Sequence, residues 1–404
     1  MKIMIMSDVV PPASERNEYT DGAIEKLVSY EFRKKLQEAT FNIVNLECPL
    51  TKESVPAVKW GSSLKAFPET IEALYKIPGL VVNLANNHIR DYGSRGVLDT
   101  IKVLEEYHIP YLGAGSDLEH SNKSLILESG QYKIGLYSCT EHEFSVAGKH
   151  SAGAHPVEEG EDIFELQKLK KQTDYVICLY HGGVEFYPYP TPEMQARLRR
   201  YIYAGADLVV SQHSHCIGCT EKYHGGELVY GQGNFLFGER PEVEENIQDQ
   251  DAWKRGMVLQ VDPEEKHVKY LFYCNKDGIL DWDQGTEMQE ELQKRNSLLQ
   301  TPGFLEKEWI KYCAQQIGYM EIFKKRFSEK KIPWKSRLKR AAGILTGKDT
   351  LTEKEYLRIY NYLTCEVHQE LLRTNCKAEI EKRNMGCLLY TSPSSRDRTR
   401  SRMP

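Results

Sequence analysis

Apolar residues recur along this chain in short unbroken runs, and each run stops abruptly at a polar or ionisable side chain. Leu80, Val81, Val82 and Leu84 form one such run with almost no alternation, the pattern of a strand covered on both faces in a parallel sheet. It ends at Asn86-Asn87-His88. Asp91-Tyr92-Gly93-Ser94 then reads as a turn, with Ser94 placed to cap a helix whose apolar positions Val97, Leu98, Ile101 and Leu104 recur at helical spacing. Four more runs share the habit. MKIMIM at residues 1–6 leads to Ser7-Asp8, and Phe41–Leu46 stops at Glu47. Tyr175–Tyr180 ends in His181-Gly182-Gly183-Val184-Glu185, and Asp207–Val210 ends in Ser211-Gln212-His213-Ser214-His215.

Between these runs the periodicity predicts helices from about Asp21 to Glu38, from Phe67-Pro68 to Tyr75, and over Pro192–Ala204. A short strand is predicted over Tyr111–Gly115, and an antiparallel pair from Leu125–Leu127 with Lys133–Tyr137. Leu228-Val229-Tyr230 runs into Gly231-Gln232-Gly233-Asn234-Phe235, and the alternating segments Met257–Val261 and Val268–Tyr273 complete an α/β domain over residues 1–285. The loop after Cys48, rich in Pro, Ser and Lys and containing Trp60-Gly61, is too polar and broken for a core and well placed to overhang a site.

Residues 286–386 carry no strand pattern. Leu292, Leu298, Trp309, Tyr312, Ile317, Ile322, Leu357, Tyr360 and Leu363 sit among Lys, Glu and Gln, which predicts a helical appendage. Residues 387–404, CLLYTSPSSRDRTRSRMP, are basic and aperiodic. They read as a disordered tail, resemble the translation of a transposon-based sequencing adapter, and are set apart from the fold.

Composition narrows the classes. The 404 residues, 40% hydrophobic, suffice for one large core and a second element. A net charge of −5 gives no basic stripe for nucleic acid, and Lys324-Lys325-Arg326 is explained by a solvated helical face. Ten cysteines include a single CxxC, Cys216 and Cys219, with no second pair at zinc-ribbon spacing, so a reduced interior is the economical reading. The first strand begins at Met1 with no room for a signal region, and no stretch approaches the ~20 apolar residues of a membrane span. These features lead to the expectation of a cytoplasmic protein without a span.

The run ends carry the candidate chemistry. In a parallel sheet all carboxyl ends lie on one edge, so Asp8, Glu47, Asn87-His88, His181, and His213 with His215 can converge although they are far apart in sequence. Singly, the asparagines do no more than shape a turn and an HxH is a surface pair. Five coincidences argue for a site. Carboxylate, amide oxygen and imidazole together suit Mn, Fe or Zn better than the all-oxygen shells of Mg or Ca.

The combination of Ser7-Asp8, Asn45-Leu46-Glu47-Cys48-Pro49-Leu50, Ala85-Asn86-Asn87-His88 with Asp91-Tyr92-Gly93, His181–Glu185, Gly205-Ala206-Asp207 with His213-Ser214-His215, and Gly231–Phe235 resembles the bacterial CapA family. The resemblance spans Met1 to Phe237. It implies a role in capsule and poly-gamma-glutamate synthesis and a calcineurin-like metallophosphoesterase-type layered α/β/β/α sandwich. By motif, Asp8 resembles the first metal ligand, Glu47 a bridging carboxylate, and Asn87 the asparagine ligand of a second metal. His181 and His213 resemble ligands of that second ion and His215 of the first, so one or two divalent transition ions are expected. His88 would donate a proton to a leaving group, with His181 and Glu185 as further proton-moving candidates. Two departures stand out: metallophosphoesterases open with Asp-x-His where this chain has Asp8-Val9-Val10, and Ser7 and Ser211 replace glycines. Two functions follow as expectations: a hydrolase of phosphoester or polymer linkages that uses metal-bound hydroxide, or a non-catalytic metal-containing partner that binds an anionic polymer or its synthesis machinery.

Overall fold

A computed structural model describes residues 1–11, 16–238, 252–316 and 352–390. The predicted helical positions Ile317 and Ile322, the basic run Lys324–Arg326, and residues 391–404 of the expected tail lie outside the described residues.

The strands in chain order are β1 (Ile3–Val10), β2 (Phe41–Leu46), β3 (Leu80–Asn83), β4 (Tyr111–Leu112), β5 (Ala114–Gly115), β6 (Leu125–Ser129), β7 (Tyr132–Thr140), β8 (Gly153–Ala154), β9 (Tyr175–His181), β10 (Leu208–Gln212), β11 (Thr220–Tyr223), β12 (Gly226–Val229), β13 (Asn234–Phe237), β14 (Arg255–Asp262), β15 (His267–Lys276) and β16 (Ile279–Trp282). One sheet runs β16-β15-β14-β1-β2-β3-β4, with β13 also paired to β1; the other runs β11-β12-β10-β9-β7-β6. The pairs β1–β2, β2–β3, β7–β9 and β9–β10 are parallel, so the carboxyl ends of each sheet's central strands share an edge.

The two sheets pack face to face, and this explains why the runs do not alternate. Ile3, Ile5, Ile43 and Val81 of the first sheet meet Leu136, Ile177, Leu179 and Val210 of the second in one buried layer. Met4, Met6, Val44 and Val82 point the other way, against helical residues such as Phe32, Leu36, Val97 and Leu104. Val176, Cys178 and Tyr180 face the helices Glu159–Gln172 and Pro192–Ala204 through Leu166, Leu169, Leu198 and Tyr201. The result is the layered α/β/β/α sandwich, with both faces of each central strand apolar.

Several boundaries differ from the sequence reading. The helix predicted from Asp21 to Glu38 is broken into Arg16–Thr20, a single turn at Ile24–Lys26, and Tyr30–Gln37. Ser29 restarts it by accepting a hydrogen bond from the Phe32 N–H at 3.2 Å, as an N-cap does. Ser94 lies inside the helix Gly93–Glu106, whose N-cap is Tyr92 without a side-chain bond, because the turn closes one residue earlier with Gly93 N–H on the Arg90 carbonyl at 2.8 Å. The predicted strand Tyr111–Gly115 splits between two sheets at Gly113, where φ is +84° and a Cβ would come within 2.7 Å of the Ala85 nitrogen.

After β16 come helices over Glu287–Leu299, Phe304–Gln315, Glu353–Thr364 and Glu366–Tyr390, the last including Cys387–Tyr390 of the expected tail. They dock on the segment after β9: Trp309, Cys313, Cys365, Val367 and Leu371 are buried with Tyr187, and Val184 and Tyr189 pack alongside. Polar ties reinforce the contact. Glu366 accepts from the His142 N–H at 2.8 Å and lies 2.7 Å from its ring Nδ1, while Glu370 accepts from Glu193 N–H at 3.1 Å. No described helix is long and apolar enough to cross a membrane.

Trp309 is the largest residue in that docking cluster and is 2% exposed. Trp309→Ala should lower the free energy of unfolding by about 3–5 kcal/mol, the usual cost of emptying a buried aromatic position. Chemical denaturation measures it; a change below about 1 kcal/mol would show that the helices are not held through this cluster.

Candidate metal centre

The edge where the sheets meet gathers the predicted residues from both. Asp8, Glu47 and His181 are almost wholly inaccessible, at 0, 0 and 1%. Asp8 lies within β1, which continues through it to Val10, and a register irregularity between Ile5 and Asp8 turns the carboxylate towards the second sheet. Its Oδ1 accepts from Asn45 Nδ2 at 2.7 Å and its Oδ2 from the His213 backbone N–H at 3.2 Å. The His215 ring Nδ1 is 3.6 Å from Oδ2.

His181, at the end of β9, is held from both sides. Nε2 lies 3.0 Å from Asn87 Oδ1 and 3.4 Å from Glu47 Oε1, and Nδ1 lies 3.2 Å from Asn45 Nδ2. Ligand atoms of Glu47, His181 and His213 fall within 4.8 Å of one another, as do those of Asp8, Glu47 and His215, and those of Glu185, His213 and His215. Glu47 belongs to the first two sets, in keeping with a bridging position. Glu185 is exposed and reaches the cluster from the rim. His213 and His215 meet there for a different reason than an extended HxH would give: both are in the left-handed region, at φ +93° and +50°. Such backbone is strained for residues with a Cβ and concentrates at functional sites.

The electrostatics suit a cation. Burial, then the neighbouring Glu47 carboxylate, pushes the Asp8 carboxyl up to about 7. Burial lowers His181 to about 4, and burial with His181 and His215 nearby takes His213 well below the ordinary imidazole value. Neutral imidazoles are the form a metal binds. Among the described residues His213 Nδ1 is buried with no hydrogen-bond partner, an arrangement that fits a ligand position better than a structural histidine. Asn234 Oδ1 sits 2.8 Å from His215 Nδ1 and orients that ring. Where an Asp-x-His would supply a further imidazole, Val10 is buried in the apolar layer instead.

His88 faces the same cavity from the β3 side. Its Nδ1 is 2.7 Å from Asp91 Oδ2 and 3.2 Å from Lys59 Nζ, and Lys59 is ion-paired to Asp91. Burial, then Lys59, lowers the His88 imidazole to about 4. The predicted overhanging loop thus contributes Lys59 to the wall.

Several residues at the site escaped the sequence reading. Asn45 joins Asp8 to His181, and its Oδ1 accepts from Asn83 at 3.1 Å and Asn86 at 3.3 Å; the only signal was an asparagine inside an otherwise buried strand. Glu143 follows β7, and burial pushes its carboxyl up to about 7. The cavity, about 420 Å3, is closed on its far side by Tyr312, Asn361 and His368 of the helical appendage. Nothing local in the sequence connects those positions to the strand ends.

The model of the family described as bacterial capsule synthesis protein PGA_cap matches residues 12–239, more than half of the chain. Capsule biosynthesis protein CapA of Bacillus anthracis is 28% identical over 234 residues, 56% of this chain and 52% of that protein. PGA biosynthesis protein CapA of Bacillus subtilis is 30% identical over 180 residues, 43% of this chain and 47% of that one. The chain therefore spans about half the length of the curated relatives it matches. Among solved structures, a novel phosphatase from Mycoplasma pneumoniae is 16% identical, with a TM-score of 0.43, and the alignment covers 72% of this chain and 96% of that one.

The proton on Asp8 sets a pH dependence for any metal bound here. Its folded value of about 7 is raised, so the metal-free carboxyl is protonated below that pH and must release a proton to act as a ligand, whereas His181 is already neutral above about 4. Mn2+ affinity should be flat above pH 7 and fall by up to about tenfold per unit beneath it. Calorimetric titration in buffers of different ionisation enthalpy reads both affinity and proton release. Constant affinity from pH 5 to 8 would show that Asp8 holds no proton in the empty site.

Proposed function

The chain belongs to the bacterial capsule synthesis protein family PGA_cap, and on that premise we propose that its cavity is a metal-dependent hydrolytic site for an anionic polymer or phosphoester linkage. The observation that carries this reading is that His88, braced by Asp91, faces the same 420 Å3 cavity as His213 and His215. A proton-moving group and a ligand cluster on one cavity are what hydrolysis requires.

Asp8, Glu47, Asn87, His181, His213 and His215 would hold one or two divalent transition ions, with Glu185 at the rim. Such an ion supplies Lewis acidity and lowers the pKa of bound water. The rest falls to the chain. Asn45 keeps Asp8 and His181 at fixed separation, and Asn234 keeps His215 in register. The Lys59 ammonium at the wall attracts an anionic substrate group. When the linkage breaks, the leaving atom keeps the bonding pair and needs a proton. As the partner of Lys59, the Asp91 carboxylate accepts, so neutral His88 carries its proton on Nδ1 and its Nε2 is an acceptor. An arriving anion raises the imidazole's pKa, and the proton gained on Nε2 is the one to deliver.

The second reading, a non-catalytic partner that binds an anionic polymer, draws support from Val10, which leaves the His215 side of the cluster without the further imidazole of an Asp-x-His.

Manganese-supplemented protein assayed on a panel of phosphoesters tests the proposal. His88→Asn should keep the metal content of the parent and lose about 10²–10⁴-fold of turnover, least on substrates whose leaving group needs no proton. His213→Ala should lose most of the metal while remaining folded. Full activity of His88→Asn on a poor leaving group removes that residue from the mechanism. A parent that binds poly-gamma-glutamate but turns over none of the panel favours the binding role.

A further inference from the structure

We propose that Glu143, Cys365 and His368 form a second site, separate from the strand-end cluster, for a zinc-like divalent cation held between the α/β domain and the helical appendage. Ligand atoms of the three side chains all lie within 4.8 Å of one another. Donors around a tetrahedral zinc are separated by roughly 3.5 Å, so a side-chain adjustment of about an ångström completes the geometry.

The local structure prepares two of the three. Cys365 is the residue between the helices Glu353–Thr364 and Glu366–Tyr390, and its carbonyl takes the first intrahelical bond of the second, from Gln369 N–H at 3.0 Å. Its thiol accepts the His368 backbone N–H, the position of an N-cap side chain. Thiol and imidazole, three residues apart on one turn, are therefore on the same side, while burial and then the Glu141 carboxylate push the metal-free thiol well above its ordinary value. Glu143 comes from the other body, just after β7. Cys365 Sγ is 4.0 Å from Glu143 Oε1 and 3.5 Å from Glu141 Oε2, and the cysteine is wholly buried. A thiol among buried carboxylates is repulsive when ionised; a divalent cation turns the same contacts into coordination.

Glu141 and Glu366 also bring a carboxylate oxygen close to the thiol, but each already holds a second partner. Glu141 Oε1 accepts from the Tyr180 hydroxyl at 2.8 Å, and Glu366 is bound to His142. Three protein ligands with an open position are the pattern of zinc sites that bind a further ligand rather than purely structural ones. Glu143 and His368 both line the 420 Å3 cavity that contains His88, His213 and His215. The open position thus faces the substrate space beside Asn87, to which Glu143 is also hydrogen-bonded, and a cation there would take an anionic group of the substrate. The same ion would fasten the appendage to the domain, because Glu143 and the Cys365–His368 pair belong to different bodies.

Cobalt substitution separates this site from the strand-end cluster, which contains no cysteine. Co2+ added to the full-length metal-free protein should produce a thiolate-to-cobalt charge-transfer absorption in the near ultraviolet. Cys365→Ser should abolish the band and, after dialysis against Zn2+, retain one ion per chain fewer than the parent. His213→Ala should keep the band while losing metal from the other cluster, so failure of one site is read independently of the other. If Cys365→Ser proves unstable, Glu143→Gln leaves the thiol in place and should show weaker cobalt binding with the band retained. No band in the parent, or an undiminished band in Cys365→Ser, overturns the proposal.

Discussion

Two carboxylates with no access to water, Asp8 and Glu47, are the constraint around which the rest of this structure is arranged. An ion of that kind taken into a protein interior loses several kcal/mol of hydration, and the loss must be offset where the side chain sits. Around Asp8 the offset comes from His181 and from a set of amides. Asn45 donates to Asp8, and Asn83 and Asn86 donate in turn to Asn45, so a chain of amides crosses from β1 to β3 beneath the site. Asn86 also donates to the Leu46 carbonyl at 2.9 Å and accepts from the N–H groups of His88 and Ile89, at 3.1 and 2.8 Å. The turn that presents Asn87 and His88 is thus tied to the scaffold that positions the carboxylates. Donors without formal charge make the Asp8 carboxylate tolerable but not comfortable, and its raised value records the remaining deficit. A cation removes that deficit, which makes the interior better suited to the loaded than to the empty state.

The second sheet supplies what the first cannot. His181, His213 and His215 approach from the ends of β9 and β10, so the candidate ligand cluster is assembled only when the two sheets are packed. The layer of Ile3, Ile5, Ile177 and Val210 that joins the sheets therefore also fixes the separation of carboxylates and imidazoles. The helical appendage adds a further dependency, since Tyr187 anchors it to the very loop that carries Glu185. Packing, rather than any local motif, sets the dimensions of the cavity.

The unbroken strand runs betrayed a doubly covered sheet because nothing except burial on both faces removes alternation from Leu80–Leu84 or Tyr175–Tyr180. Their polar end residues betrayed the shared edge for the same reason: a run that stops at Asp8 or His181 stops where the covering layers stop. What escaped was set by long-range contacts. Lys59 is one lysine among many until the loop folds over Asp91 and His88. Asn45 looks like an irregularity until Asp8, His181, Asn83 and Asn86 arrive around it. Cys365 and His368, more than 120 residues beyond the last strand-end residue of the cluster, carry no mark of their destination. Asp91, which reads in sequence only as part of a turn, holds His88, Lys59 and the Leu64 N–H, the last at 2.6 Å.

That placement of Asp91 ties substrate charge to proton position. Burial and then Lys59 hold His88 neutral, and Asp91 fixes the remaining proton on Nδ1. An anionic group drawn to Lys59 partly cancels the charge that kept the imidazole low, while Asp91 continues to favour the protonated ring. The two effects act in one direction, so on the proposed hydrolytic reading His88 would become an acid mainly when an anion is beside it. A neutral ligand of the same size would fill the space without shifting the proton. Selectivity for anionic substrates would then arise in the chemical step as well as in binding, from two side chains on the turn between Asn86 and Gly93 and the Lys59 ammonium that the overhanging loop brings to them.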